Sequence, residues 1–86
     1  MAYSAKSEAA SQRPRVFDET EYAETWTTFH VTQTADDADR PQQGDHLDNT
    51  SADLITTFTC ARVAMRPQTG KGTLWIATWT RPKMGA

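Results

Sequence analysis

The clearest pattern in the chain is a two-residue alternation that recurs over residues 53–81. In the first half, Ile55, Thr57, Thr59, Ala61, Val63 and Met65 alternate with Leu54, Thr56, Phe58, Cys60, Arg62 and Ala64. In the second, Leu74, Ile76 and Thr78 alternate with Trp75, Ala77 and Trp79. Successive side chains of a strand point to opposite faces, so both runs read as strands, and their Thr and aromatic content agrees. The Gly- and Pro-bearing segment Arg66-Pro67-Gln68-Thr69-Gly70-Lys71-Gly72 between them predicts an antiparallel hairpin, and Pro82 ends its second arm. Apolar groups occur on both faces, which predicts that both faces are at least partly covered.

A third strand is predicted over 26–34, with Phe29 and Val31 on one face and Trp26, Thr28, His30 and Thr32 on the other. Residues 35–52 are dense in Pro, Gly, Asn and Asp, and Leu47 is their one large aliphatic side chain. They read as a long loop, and a loop of that length tends to be functional or partner-bound. Residues 16–25 read as an acidic connector anchored by Phe17 and Tyr22; Asp18 either caps a short helical turn or lies in extended chain. Residues 1–15 are small and polar, with at most a turn or two of helix that would not be stable alone. The expected fold is mainly β: a small antiparallel sheet or sandwich built on the 53–81 hairpin, with an extended N-terminal arm (1–15), a single domain (16–86) and the 35–52 loop.

Composition adds a constraint on stability. The chain has 86 residues, of which 37% are hydrophobic, and a core drawn from the roughly 55 residues outside its polar N-terminal third would be marginal by itself. One Cys excludes an internal disulfide, and the Cys/His spacing offers no zinc site. A protein partner is then the most economical source of the missing stability. Cys60 fits a reducing compartment or burial as a small apolar residue. The longest apolar run, Leu74-Trp75-Ile76-Ala77, is too short for a membrane span or a signal-peptide core, and Glu8 argues against a transit peptide. The expected location is soluble: a virion particle if viral, otherwise the cytoplasm.

Charge is distributed in blocks. Residues 18–53 hold ten acids against Arg40, whereas residues 54–86 hold Arg62, Arg66, Lys71, Arg81 and Lys83 and no acid. The acidic middle folds against the basic hairpin within one chain, is simply solvated, or meets it head-to-tail on a neighbouring copy or subunit. All four prolines follow an arginine, each where a run must stop or turn, which is punctuation rather than a motif.

Candidate chemistry is sparse. Asp36, Asp37, Asp39, Asp45, His46 and Asp48 supply oxygens and a ring nitrogen, but Arg40-Pro41 interrupts the series and the terminal Glu of a calcium loop is missing. His30 lies in a strand with no paired acid evident, and Cys60 has no nucleophile signature. Lys71-Gly72-Thr73 lacks the spaced glycines and following helix of a phosphate loop. No enzyme, metal or cofactor is expected. Basic residues with Trp75 and Trp79 on a sheet would suit nucleic acid, against which stands the acidic loop.

The Thr-rich run Thr73-Leu74-Trp75-Ile76-Ala77-Thr78-Trp79-Thr80 and the 35–52 loop give residues 26–82 a pattern, to which the polar arm at 1–15 adds. It resembles the small β-rich virion structural proteins of tailed bacteriophages: decoration, head-completion or tail-assembly components. The resemblance implies a non-enzymatic assembly role, repeated copies or other subunits as partners, and exchange of arms or strands. The alternatives are a small inhibitor or adaptor binding one protein through the acidic loop, and a nucleic-acid-binding sheet. The interaction candidates are Arg40, Asp45, His46, Arg62, Arg66, Trp75 and Trp79.

Overall fold

The structure, a computed structural model, describes residues 5–49, 57–68 and 72–83. It is mainly β: a four-stranded antiparallel sheet with one short helix. In chain order the elements are α1 (Ala5–Ser11), β1 (Val16–Glu19), β2 (Ala23–Thr32), a 3-10 turn (Leu47–Asn49), β3 (Thr59–Pro67) and β4 (Thr73–Pro82). The strands lie in the order β1-β2-β4-β3, so β2 and β4 are central and β1 and β3 are the edges. No helix among the described residues is long and apolar enough to cross a membrane.

The predicted hairpin is present as β3 and β4. Its first arm starts at Thr59 rather than residue 53: Thr57 and Phe58 are described as non-strand, and 53–56 lie outside the described residues. The third expected strand is β2, displaced to 23–32 and paired with β4 from Ala23↔Pro82 to Thr32↔Thr73. The acidic connector is itself a strand and a turn. Val16–Glu19 pairs with β2, and the Thr20 N–H donates to the Ala23 carbonyl at 2.8 Å to close the turn. Tyr22, expected as an anchor, projects from that turn 80% exposed, because a turn tip has no sheet surface beneath it.

The alternation predicted for the first arm does not run through in one phase. A register shift between Cys60 and Arg62 places Cys60 opposite Trp79, then Arg62 opposite Thr78 and Val63 opposite Ala77. An extra residue at a β-bulge reverses which parity points inward. Cys60, Val63 and Met65 therefore share the face of Trp75, Ala77 and Trp79, and Arg62, Ala64 and Arg66 share the other. That first face is the core: Leu47, Cys60, Ala77 and Trp79 form its centre, with Trp26, Phe58 and Val63 packed against them.

The N-terminal arm supplies part of the cover. Ala5–Ser11 is helical, and α1 packs against β2. Seven residues do not hold a helix in water, so tertiary contacts hold this one. Ser7 is buried and donates to the Asp39 carbonyl at 3.3 Å. Arg15, just past the helix, binds Glu8 at 2.8 Å and Asp48 at 2.9 Å, tying α1 to the 3-10 turn. The described part of the long loop also turns inward. Leu47 and Pro41 are buried. Gly44 N donates to Cys60 O, Cys60 N to Asp45 O, and Leu47 N to Phe58 O, all within 3.0 Å.

Candidate interaction site

The core face carries a polar ladder that the amphipathic pattern does not suggest. Trp79 and Thr28 are completely buried, and the Trp79 indole Nε1 donates to Thr28 Oγ1 at 2.6 Å. Thr28 Oγ1 lies 2.7 Å from His30 Nε2. The Thr28 hydroxyl accepts from Trp79 on one lone pair and meets Nε2 with its proton or its second lone pair, so either neutral tautomer satisfies the contact. Burial supports the neutral form. It lowers the His30 pKa from 6.5 to about 4, with Glu8 opposing the shift and Arg15 adding to it. One turn of the pleat further on, Trp75 Nε1 donates to Thr32 Oγ1 at 2.8 Å, and Thr32 donates to Thr34 O at 2.7 Å. These residues fix the core; they present nothing to a substrate.

Trp75 and Trp79, considered above as contact residues, are therefore core residues, with both indole N–H groups satisfied inside the fold. Neither ring is exposed for stacking on a base. Asp45 is also internal, at 1% exposure. Its Oδ2 accepts from Gln42 N at 3.0 Å and organises the turn that brings the loop to β3. His46 bridges Thr59 across this short added ladder. Arg40 donates to the Asp37 carbonyl at 2.9 Å and holds the preceding turn. Arg40, Asp45 and His46 thus serve the loop's own conformation; residues 50–52 lie outside the described residues. Cys60 is buried, and burial, with the Asp45 carboxylate acting the same way, raises its thiol to about 11.

Arg62 and Arg66 are different. Both are exposed on the outer face of β3, and neither has an ion-pair partner among the described residues. Other basic residues of the C-terminal block are neutralised within the chain: Arg81 binds Glu24 at 2.7 Å and lies over the Phe58 ring, and Lys83 reaches Glu19 at 3.4 Å. Part of the acidic middle thus does fold against the hairpin, leaving charge at the two sheet edges.

The outer face reads, across the sheet, as Val16-Thr27-Thr78-Arg62, then Phe29-Ile76-Ala64, then Val31-Leu74-Arg66. Phe29, Val31 and Ile76 are half-buried, and Arg13 lies over the Phe29 ring at 5.5 Å. Beyond the loop's short pairing with residues 58–60, β3 is exposed at 61, 62 and 64–67, and all of β1 is exposed, including Val16, Phe17 and Asp18. An open groove between α1 and β2 has Trp26 in its wall and Glu8, Gln12, Arg13, Arg15 and Asp48 around it. Its central cation, Arg15, is bound on both sides. Among the described residues no three His, Cys, Asp or Glu side chains converge as a metal site would require.

Searches of protein-family models, of curated proteins and of solved structures give no match to this chain. The sequence does not mark the edges, because Val16–Glu19 is too short and acidic to show a strand's alternation. The available signal was Pro67, which a sheet tolerates at an edge position whose N–H is not required.

Proposed function

We propose that the protein is a non-enzymatic structural subunit that works through contacts with further copies of itself or with other subunits of a larger assembly. The virion is the setting suggested by its resemblance to small β-rich proteins of tailed bacteriophages. The observation that carries the reading is the outer side of the sheet. It joins a Thr-rich surface with half-buried Phe29, Val31 and Ile76 to two exposed edge strands. Unpaired edges and one-sided apolar surface are where a small sheet gains area from a neighbour. A one-to-one binder acting through the acidic loop has less support, since Asp45 and Leu47 point into the fold. A nucleic-acid sheet would need the Trp rings that the core holds. The test is the solution mass of the folded chain by light scattering over a dilution series, with a circular-dichroism melt on the same sample. A mass above that of the monomer supports the reading. A sharply melting monomer at every concentration would move it to the one-to-one binder.

A further inference from the structure

The ladder determines which backbone groups each edge presents. Ala23 O accepts from Thr20 N and Tyr22 O accepts from Lys83 N, so odd-numbered residues of β2 face β1 and even-numbered ones face β4. Through the register Val16↔Thr27 and Asp18↔Thr25, Val16 and Asp18 bond inward, and Phe17 and Glu19 face outward, the Glu19 N–H being held by Asp18 Oδ1 at 2.9 Å. On the opposite edge, Cys60 bonds outward to Asp45 and Gly44, and Gln68 N bonds inward to Gly72 O. Past the bulge, Arg62, Ala64 and Arg66 bond β4, and Val63 and Met65 present their groups outward. Pro67 takes the next outward position, where its missing N–H leaves β4 fully bonded.

Three features of these edges fit one another. The strands alternate in direction, so with four of them the two edges run antiparallel, and a second sheet placed alongside continues the alternation. The outward-bonding residues, Phe17 and Glu19 on one edge and Val63 and Met65 on the other, all carry side chains on the helix-covered face, so pairing them keeps both sheets the same way up. Phe17 and Met65 are 45% and 51% exposed, and pairing would place one on the other. Asp18 then falls opposite Ala64 on the outer face, diagonal to Arg62 and Arg66, at a spacing that long side chains bridge. Pairing like edges would instead set Arg62 and Arg66, or Asp18 and Glu19, against their own copies, which is unfavourable.

We infer that copies of this chain associate head to tail by antiparallel pairing of β3 of one copy with β1 of the next, Asp18 seating between Arg62 and Arg66. This deepens the assembly reading and rests on it. Sedimentation or light scattering of the full chain should show a mass that rises with concentration and falls with added salt. Met65→Pro removes one outward N–H and no ladder bond; Glu19→Pro removes an outward N–H held by Asp18 Oδ1, and the Glu19 pair with Lys83, again with no ladder bond. Each alone should be a monomer; mixed in equal amounts they should give twice the monomer mass and nothing larger, because one β1 edge and one β3 edge remain. If circular dichroism shows a proline variant unfolded, charge reversal serves instead. Asp18→Lys and the double variant Arg62→Glu/Arg66→Glu should each lose self-association, and mixing them should restore it. Two proline variants, or two charge variants, that assemble as the unaltered chain does would overturn the edge pairing and leave the assembly reading standing. An unaltered chain that stays monomeric overturns both, and the edge arginines then act as guards against association.

Discussion

Replacing Thr28 with Val removes one buried oxygen and keeps the branched shape. Two groups lose a partner at once: the Trp79 indole N–H at 2.6 Å and His30 Nε2 at 2.7 Å. A buried polar group deprived of its hydrogen bond costs about 1–3 kcal/mol, so the loss for two is about 2–6 kcal/mol, against which the added methyl returns about 0.8 kcal/mol. The expected net destabilisation is about 1–5 kcal/mol, a large part of the total for a domain this small. Chemical denaturation at pH 7.5, followed by Trp fluorescence and far-ultraviolet circular dichroism, measures it. In a thermal melt the same change lowers Tm by at least about 5 °C, since a domain of this length shifts by about 4–8 °C per kcal/mol. Thr27→Val is the control: it sits one residue away on the outer face, opposite Thr78 and Val16, and should change stability by about 0.5 kcal/mol or less. The double variant Thr28→Val/Trp79→Phe should be less destabilised than the sum of its parts, because it removes donor and acceptor together. If Thr28→Val is no worse than Thr27→Val, the ladder does not stabilise the core.

The lowered His30 pKa makes stability depend on pH: the unfolded chain binds the proton at 6.5 and the folded chain only near 4. That contribution is complete above pH 6.5 and is lost as pH falls toward 4, up to about 3 kcal/mol, and denaturation midpoints of the unaltered chain and His30→Gln between pH 7.5 and 4 should converge accordingly. Gly72→Ala should destabilise by about 1–3 kcal/mol, because φ is +102° and the new Cβ would lie 3.0 Å from the Thr32 carbonyl; equilibrium unfolding reads it. Arg15→Met should cost about 1 kcal/mol or less, given partly exposed ion pairs, yet raise amide exchange selectively in α1, whose tie to Asp48 it removes. Cys60, buried with its thiol raised to about 11, should react with a thiol reagent at pH 8 only as fast as the fold opens.

The sequence made the mainly-β class and the hairpin legible because β3 and β4 carry strong alternation bounded by Pro and Gly. It hid three things, each for its own reason. A strand of four residues, two of them acids, gives almost no periodicity, so β1 looked like a connector. The bulge leaves the alternation around Cys60 looking intact while reversing which side chains point inward, and only pairing with Trp79 and Ala77 reveals it. The loop's inward course depends on Asp45 and Leu47 meeting Cys60 and Phe58, contacts made across more than ten residues that no local pattern encodes. Among the candidate contacts, the exposure of Arg62 and Arg66 follows from their charge alone. Trp75 and Trp79 were not assignable, since an aromatic ring on a two-faced strand suits a core and an interface equally until the cover is known.

The polar ladder and the open edges follow from the same shortage of apolar material. The buried hydrophobic set among the described residues is small: Leu47, Cys60, Leu74, Trp75, Ala77 and Trp79. Two large indoles fill most of that volume, and each brings an N–H that needs an acceptor inside. Thr28 and Thr32 supply those acceptors on the neighbouring strand, and their hydroxyls bond on to His30 Nε2 and to Thr34 O. Each link is directional, so the ladder admits one register of β2 against β4 where a purely apolar face would tolerate a slip. A fixed central register places Val16–Glu19 and Ala61–Pro67 at defined heights on the two edges. Head-to-tail pairing requires that definition, because a slip of one residue would turn Phe17 away from Met65 and reverse the faces. Disturbing Thr28 should therefore weaken association as well as folding, although Thr28 lies in the core and touches neither edge. Substitutions of Asp18 should weaken association alone.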